Sequence, residues 1–346
     1  MARHSGAIRG PTIIDVAAVA GVSAMTVSRV INDRPGVGQK TRLAVNEAIR
    51  TLGYTPNVAA RSLVTSTELR IGVVYSNPSA AFMSDFLTGV FEEASIRGAR
   101  LILLKGGEGG RPPSAAELEA LAESGIRGVI LAPPLGESSV VLEALGNAGL
   151  PMAAVGAYDV QGAISVRIDD HLAAYEMTRA LLRLGHRHLG FILGNPNQAA
   201  SARRLAGFQD AVREIDGATT VIAQGDFSFA SGLAAAEQLL DSHTPPTAIF
   251  ASNDDMAAAA VSVAHRRHLD VPRELTVVGF DDTPAAVTLW PPLTTVHQPV
   301  RKLAAEALSL LTAEIAKPVP DGQGASEHVL DHEIIARQST AAPLAS

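Results

Sequence analysis

From Glu68 onward, short β-rich runs alternate with amphipathic helical stretches, and this alternation restricts the possible folds more than any other feature of the chain. Strands joined through helices pair in parallel and need cover on both faces. Buried strands read at Ile71–Tyr75, Leu101–Leu104, Gly128–Ala132 and Pro151–Val155, with helices at Phe82–Arg97, Ser114–Ser124 and Ser138–Ala148 between them. The pattern then begins again. Strands at Val166–Ile168, Leu189–Leu193, Ala248–Ala251 and Leu275–Phe280, and one around Thr219–Ala223, alternate with helices near His171–Leu184, Ala200–Glu214, Phe229–Leu240 and Asp254–His268. About nine strand–helix units exceed one doubly wound sheet, so two similar subdomains are expected. The tail, with strand Leu293–Pro299, helix Arg301–Ile315 and strand His328–Ala336, follows both units and is expected to cross back and stitch them together.

The stretch Thr12–Val64 in front has a different period. Thr12 can cap a first helix with Asp15 three residues on, and Ile13, Val16, Ala17 and Ala20 form its apolar stripe. Gly21 supplies a tight turn, and Ser23 caps a second helix running from Ala24 to about Asn32. Val27, Val30 and Ile31 share one face of that helix. Met25, Arg29 and Asn32 fall opposite, with Ser28 beside them and Ala24 at the exposed N-terminal end. Such a pair fits a helix-turn-helix that offers its second helix to a DNA groove, and it also fits an ordinary αα-corner. Val45, Ala48, Ile49 and Leu52 then predict a third helix, Gln39–Leu52, ended by Gly53. Thr55-Pro56 opens a further short helix that is marginal alone and suited to forming on DNA.

Charge is divided in the same way. Residues 1–67 hold eight basic against three acidic side chains, hence +5, whereas the remainder holds 20 basic and 32 acidic, hence −12. A basic head suits phosphate contact and an acidic body suits solubility. The chain has no cysteine, which excludes a disulfide framework and thiol chemistry and fits a reducing cytoplasm. Residues 1–10 lack an apolar h-region and read as a disordered arm rather than a secretory signal. Apolar runs such as Met256–Ala264 fall short of the roughly 20 residues of a membrane helix, so no membrane partner is expected.

The run I-x-D-V-A-x-x-A-G-V-S-x-x-T-V-S-R-V-I-N, then K-T-R, then L-G-Y-x-P-N-x-x-A-R-S-L, resembles the headpiece of the lactose/galactose-repressor family of transcription regulators. The likeness continues through LGHRHLGFI, RLAGF, ASNDDMA, VVGFDD and PPLTTV. It implies a small all-α helix-turn-helix headpiece (11–56), a hinge helix and linker (57–67), and an α/β periplasmic-binding-protein-like core of two doubly wound subdomains (68–346). The first subdomain is expected at about 69–164 plus 300–325, and the second at about 165–297 plus 326–340. By the resemblance, Ala24, Met25 and Arg29 read base edges and Leu63 wedges into the minor groove. Thr12, Ser23, Thr26, Ser28, Asn32, Thr41, Tyr54 and Asn57 contact the DNA backbone. Gly38 departs from the family, where a capping Ser is more usual.

Ligands of open α/β sheets bind beyond the carboxyl ends of the strands. Ser76, Gly156, Asn253 and Asp281 stand at such ends, with Arg204 near a helix start and Phe227 in a loop. Singly, each has a plain alternative: a solvated arginine, a turn acid, loop packing. The resemblance makes Arg204, Asn253 and Asp281 a polar clamp on an effector and lays Phe227 over it, with Ser76 also at the site. Gly156 stands where some sugar-binding members hold a carboxylate.

Other patterns lead elsewhere. His186 and His188 in GHRH lack further ligands at metal spacing, and Lys105–Pro112 is glycine-rich without the GK[ST] ending of a phosphate loop. Asp254/Asp255 and Asp281/Asp282 have no nucleophile–base pair beside them, and Asp254 opens a helix whose dipole it suits. No metal or cofactor is expected. The tail after Ala336 has no heptad leucines, so a homodimer without a tetramerising coil is expected. The reading is a DNA-binding regulator, a repressor at a palindromic operator, controlled by a sugar or, second, a purine or nucleoside. A solute receptor and a sugar hydrolase on the same scaffold are the alternatives from other classes.

Overall fold

The structure, a computed structural model, describes residues 12–31, 37–52, 68–107, 111–317 and 326–344, and the chain divides after Glu68 into two units. In the first unit, α1 (Ile13–Ala20), α2 (Ala24–Ile31) and α3 (Gln39–Leu52) pack around Val16, Val27, Val30, Val45 and Ala48. The Asp15 carboxylate accepts from the Thr12 backbone N–H and hydroxyl, both at 2.7 Å, and Gly21 takes the left-handed conformation (φ 66°) that ends α1. These are the stripes and punctuation expected from the sequence. Expectations for the N-terminal arm, Asn32, Tyr54, Asn57, Leu63 and the hinge helix lie outside the described residues.

The second unit holds two six-stranded sheets. Its elements are β1 (Arg70–Tyr75), α4 (Ala80–Arg97), β2 (Arg100–Lys105), α5 (Ala115–Glu123), β3 (Gly128–Leu131), the 3-10 turn Leu135–Glu137, α6 (Ser139–Asn147), β4 (Met152–Val155) and β5 (Ile164–Ile168). They are followed by α7 (Asp170–Arg183), β6 (His188–Leu193), α8 (Ala199–Arg213), β7 (Thr219–Gln224), α9 (Phe229–Leu240), β8 (Ala248–Ala251) and α10 (Asp254–Arg266). The chain ends with β9 (Thr276–Asp281), α11 (Pro284–Thr288), β10 (Thr294–His297), α12 (Val300–Ala316), β11 (Glu327–Leu330) and β12 (Glu333–Ile335). The sheet orders are β11-β5-β4-β3-β1-β2 and β12-β10-β9-β8-β6-β7. Pairing is parallel everywhere except between β10 and β12. Each central strand is buried along its length, as parallel strands covered by helices must be.

Two expectations are corrected. The strand expected at Val166–Ile168 in the second subdomain is β5, which pairs with β4 in the first sheet. The chain crosses one residue after it, where Asp169 caps α7. Residues 326–340, read as one strand of the second subdomain, form two strands: β11 lies beside β5 in the first sheet and β12 beside β10 in the second. Burial periodicity marks a strand as covered but carries no record of which sheet covers it. Helix α12 returns to the first subdomain against α4, as expected.

Close helix crossings depend on glycine. A Cβ at Gly207 of α8 would stand 2.0 Å from the His171 carbonyl oxygen of α7, an atom that cannot turn aside. Gly207→Ala should therefore cost about 3 kcal/mol, the upper end of overpacking, read as a lower urea midpoint; an unchanged midpoint would show that α7 and α8 can separate freely.

Candidate functional site: a headpiece face and an interdomain cleft

In the headpiece, the buried faces of the three helices leave Ala24, Met25 and Arg29 together on the outside of α2. Met25 is 69% exposed, a large apolar side chain facing outward at the N-terminal end of a helix. The Ser23 hydroxyl accepts the Thr26 amide at 3.2 Å, so Ser23 caps α2 as expected. Thr26 and Ser28 of α2 and Thr41 of α3 are half-buried, and Thr12 sits at the start of α1. An outward Arg in the last turn of a short helix, on the same face as apolar residues of the first turn, is suited to entering a major groove.

In the core, the carboxyl ends of the two sheets face a cleft whose lining comes from both subdomains, including Asn77, Phe82, Gly156, Asp170, Gln198, Arg204, Phe227, Asn253, Asp281 and Gln298. Its cavity volume is about 40 Å³, room for a few waters. Arg204, 5% exposed, dominates it. Its Nε donates to Asp170 Oδ1 at 2.7 Å, its Nη1 to the Ser252 carbonyl at 2.5 Å, and its guanidinium lies 3.5 Å over the Phe280 ring. The second Asp170 oxygen accepts from the Tyr158 hydroxyl at 2.7 Å. A buried ion pair of this kind depends on such further bonds, here from Tyr158 to the carboxylate and from the guanidinium to Ser252.

Asp281 also lines the cleft, 8% exposed, accepting from Gln298 Nε2 at 2.5 Å. Burial pushes its carboxyl well above the usual carboxylate range; the Arg204 charge opposes this and the Asp254 charge adds to it. Asp281 and Phe227 both take positive φ, 111° and 74°, which side-chain-bearing residues rarely adopt. Such conformations persist where the surroundings impose them and concentrate at binding sites. Phe227 is held from two sides. Its carbonyl accepts from Asn253 Nδ2 at 2.9 Å, and its ring presses so close to Gly194 that a Cβ there would lie 2.1 Å away.

Of the five expected effector residues, Arg204, Phe227, Asn253 and Asp281 line the cleft. Asn253 spends its side chain on the protein: Oδ1 accepts from Met256 N at 3.0 Å to cap α10 and Nδ2 holds Phe227. Ser76 does not line it, because its hydroxyl donates to the Gly107 carbonyl at 2.6 Å; Asn77, one residue on, faces the cleft. Asp170, Gln198 and Gln298 were missed. Gln298 had the same signal as the others, a polar residue just beyond a strand end; Asp170 was hidden as a second acid at a helix start.

Asp254, Asp282 and His186 have structural partners. Asp254 was read as a helix-dipole acid, yet it is fully buried. Its carboxylate accepts from the Thr295 hydroxyl at 2.6 Å and from the Thr283 amide and hydroxyl at 2.7 and 3.1 Å, and burial pushes its pKa up to about 6. Asp282 pairs with Arg337 at 2.6 Å and His297 at 3.1 Å. His186 is buried between the Thr247 hydroxyl and the Ala341 carbonyl, and burial lowers its pKa. Among the described residues no three His, Asp or Glu side chains gather as metal ligands, and no single helix is long and apolar enough to cross a membrane.

Headpiece and cleft together define a class: a DNA-binding module joined to a core of periplasmic-binding-protein type. The model of bacterial regulatory proteins of the lacI family matches residues 12–57, and that of the periplasmic binding protein-like domain matches 178–340. Catabolite control protein A of Priestia megaterium is 33% identical over 334 residues, 95% of this chain and 99% of that protein. The HTH-type transcriptional repressor PurR of Proteus mirabilis is 33% identical over 321 residues, covering 92% and 94%. A lac repressor dimer bound to operator and an anti-inducer has a TM-score of 0.81 at 26% identity, covering 96% and 100%. A transcriptional regulator CelR–cellobiose complex has a TM-score of 0.69 at 31% identity, covering 95% and 99%. The chain belongs to the LacI family of DNA-binding transcription regulators.

Proposed function

We propose that this regulator is a repressor that binds a palindromic operator as a homodimer and changes its operator affinity when a sugar or sugar derivative occupies the cleft. The observation that carries the ligand class is that Arg204, Asp281 and Phe227 line the same cleft. A carboxylate accepts from paired hydroxyls, a guanidinium donates back, and an aromatic ring covers the apolar side of a sugar. A relative solved with cellobiose supports the same class. The second reading, a purine or nucleoside, draws on the similarity to PurR and on the same aromatic residue.

On this reading Ala24, Met25 and Arg29 read base edges and Leu63 enters the minor groove, with Thr12, Ser23, Thr26, Ser28, Asn32, Thr41, Tyr54 and Asn57 on the backbone. Thr12, Ser23 and Thr26 also bond within the headpiece, which orients them for phosphate. Arg204, Phe227 and Asp281 hold the effector, with Asn253 acting through Phe227. On this reading the protein is a cytoplasmic binding protein without catalysis, its acids Asp254 and Asp282 bonded within the fold and Asp281 given to the effector. To switch the operator from nearly full to nearly empty, the effector must prefer one core conformation by about 10⁴-fold.

Arg29→Ala should lower affinity for the selected operator by about 10- to 100-fold, the worth of one bidentate guanine contact, and leave non-specific binding nearly unchanged. Titrating labelled operator and a scrambled duplex at one salt concentration measures both. An equal fall on both would make Arg29 a phosphate contact.

A further inference from the structure

Helix α8, which carries Arg204, begins without a cap of its own. Gln198 occupies the N-cap position and makes no side-chain bond to the first turn. The missing acceptor comes from the other subdomain. Glu137, at the end of the 3-10 turn after β3, accepts the Ala199 amide through Oε2 at 2.8 Å and the Tyr158 amide through Oε1 at 3.1 Å. Tyr158 continues the chain of contacts: its hydroxyl bonds Asp170, and Asp170 bonds Arg204. Two guanidinium groups lie over the Tyr158 ring, Arg167 of β5 at 4.2 Å and Arg203 of α8 at 5.0 Å. Asp159 adds a 3.5 Å contact to Arg203.

Ala199 and Arg203 are thus held directly from the first subdomain, and Arg204 through Asp170. We propose that Glu137 is the bolt of an interdomain latch: it caps α8 across the cleft, so that closing the cleft and completing the helix that carries Arg204 are one event. Glu137 is a positioning residue. It touches no effector, and it sets how readily the subdomains part to admit one. Only that last consequence rests on the reading of the cleft as an effector site; the latch itself can be tested without ligand.

The absence of cysteine permits a clean spin-label pair, Glu143→Cys in the first subdomain and Asp216→Cys in the second, in the full-length protein. In Glu137→Ala, amide exchange over residues 199–204 should quicken about fivefold, the factor that loss of one helix cap implies. The label-to-label distance should lengthen, with exchange in β3 and β4 unchanged. Glu137→Gln keeps the shape and one carbonyl acceptor, and should fall between wild type and Glu137→Ala in both readouts. Unchanged exchange and distance in Glu137→Ala would overturn the latch. So would faster exchange spread evenly over the first subdomain, which would make Glu137 a support for the Tyr158 loop alone. A cleft that bound no sugar would leave both readouts standing.

Discussion

Arg204→Ala should destabilise the core by about 3–5 kcal/mol, the cost of removing one partner of a buried ion pair. The loss follows from what stays behind. Asp170 is 2% exposed and would keep a carboxylate with only Tyr158 to serve it, and the Ser252 carbonyl would lose its donor. Asp281 would lose the one cation that opposes the effect of its burial. Arg204→Lys should recover little, because an ammonium cannot bond Asp170 and Ser252 in the guanidinium geometry while stacking on Phe280. Urea denaturation of the three proteins measures this, and a change below about 1 kcal/mol for Arg204→Ala would mean that water reaches Asp170 freely. The size of the effect bears on function: the main polar group facing the cleft is also part of the structure between the subdomains.

The second large effect is on pH dependence. Burial raises the Asp254 carboxyl to about 6 in the folded protein, against about 4 when unfolded. The folded state therefore binds this proton more tightly, and unfolding releases it across that interval. The stability contributed is fully present below pH about 4 and is lost as pH rises through about 6, in total about 3 kcal/mol. Asp281, raised by burial, acts in the same direction. Asp254→Asn removes this titration, so the stability difference between wild type and variant should shrink by about 3 kcal/mol from pH 4 to pH 7. A difference that does not change with pH would contradict the buried, proton-binding Asp254. At neutral pH the three hydrogen bonds from Thr283 and Thr295 hold the buried carboxylate, which ties the α11 region and β10 to the start of α10.

Much of this architecture is legible before any coordinates. The headpiece stripes Val16/Ala17, Val27/Val30 and Val45/Ala48 became its core because a helix in so small a unit has only one face to bury. Four of the five expected residues line the cleft; position beyond a strand end or near a helix start made Arg204, Asn253 and Asp281 candidates, and the family resemblance singled out these three and Phe227. The failures have physical causes too. Ser76 and Asn77 are both polar and adjacent, and which one faces the cleft depends on the bond from Ser76 to Gly107, 31 residues away. Asp170 follows the capping Asp169 and reads as a second dipole-favoured acid until Arg204 and Tyr158 arrive from elsewhere in the chain. Glu137 carries no motif; its role exists only where the 3-10 turn meets the N-terminus of α8. Local periodicity is written in neighbouring residues, whereas sheet membership and cross-subdomain pairs are decided by distant ones.

The most direct measurement selects duplexes from a random pool with the full-length protein and titrates the winner by fluorescence anisotropy, alone and with mono- and disaccharides and purines. A palindromic sequence whose affinity changes on addition of one of these ligands is the expected result. Failure to enrich any sequence would contradict the assignment as a sequence-specific regulator, and a palindrome indifferent to every ligand would contradict effector control through the cleft by these two classes.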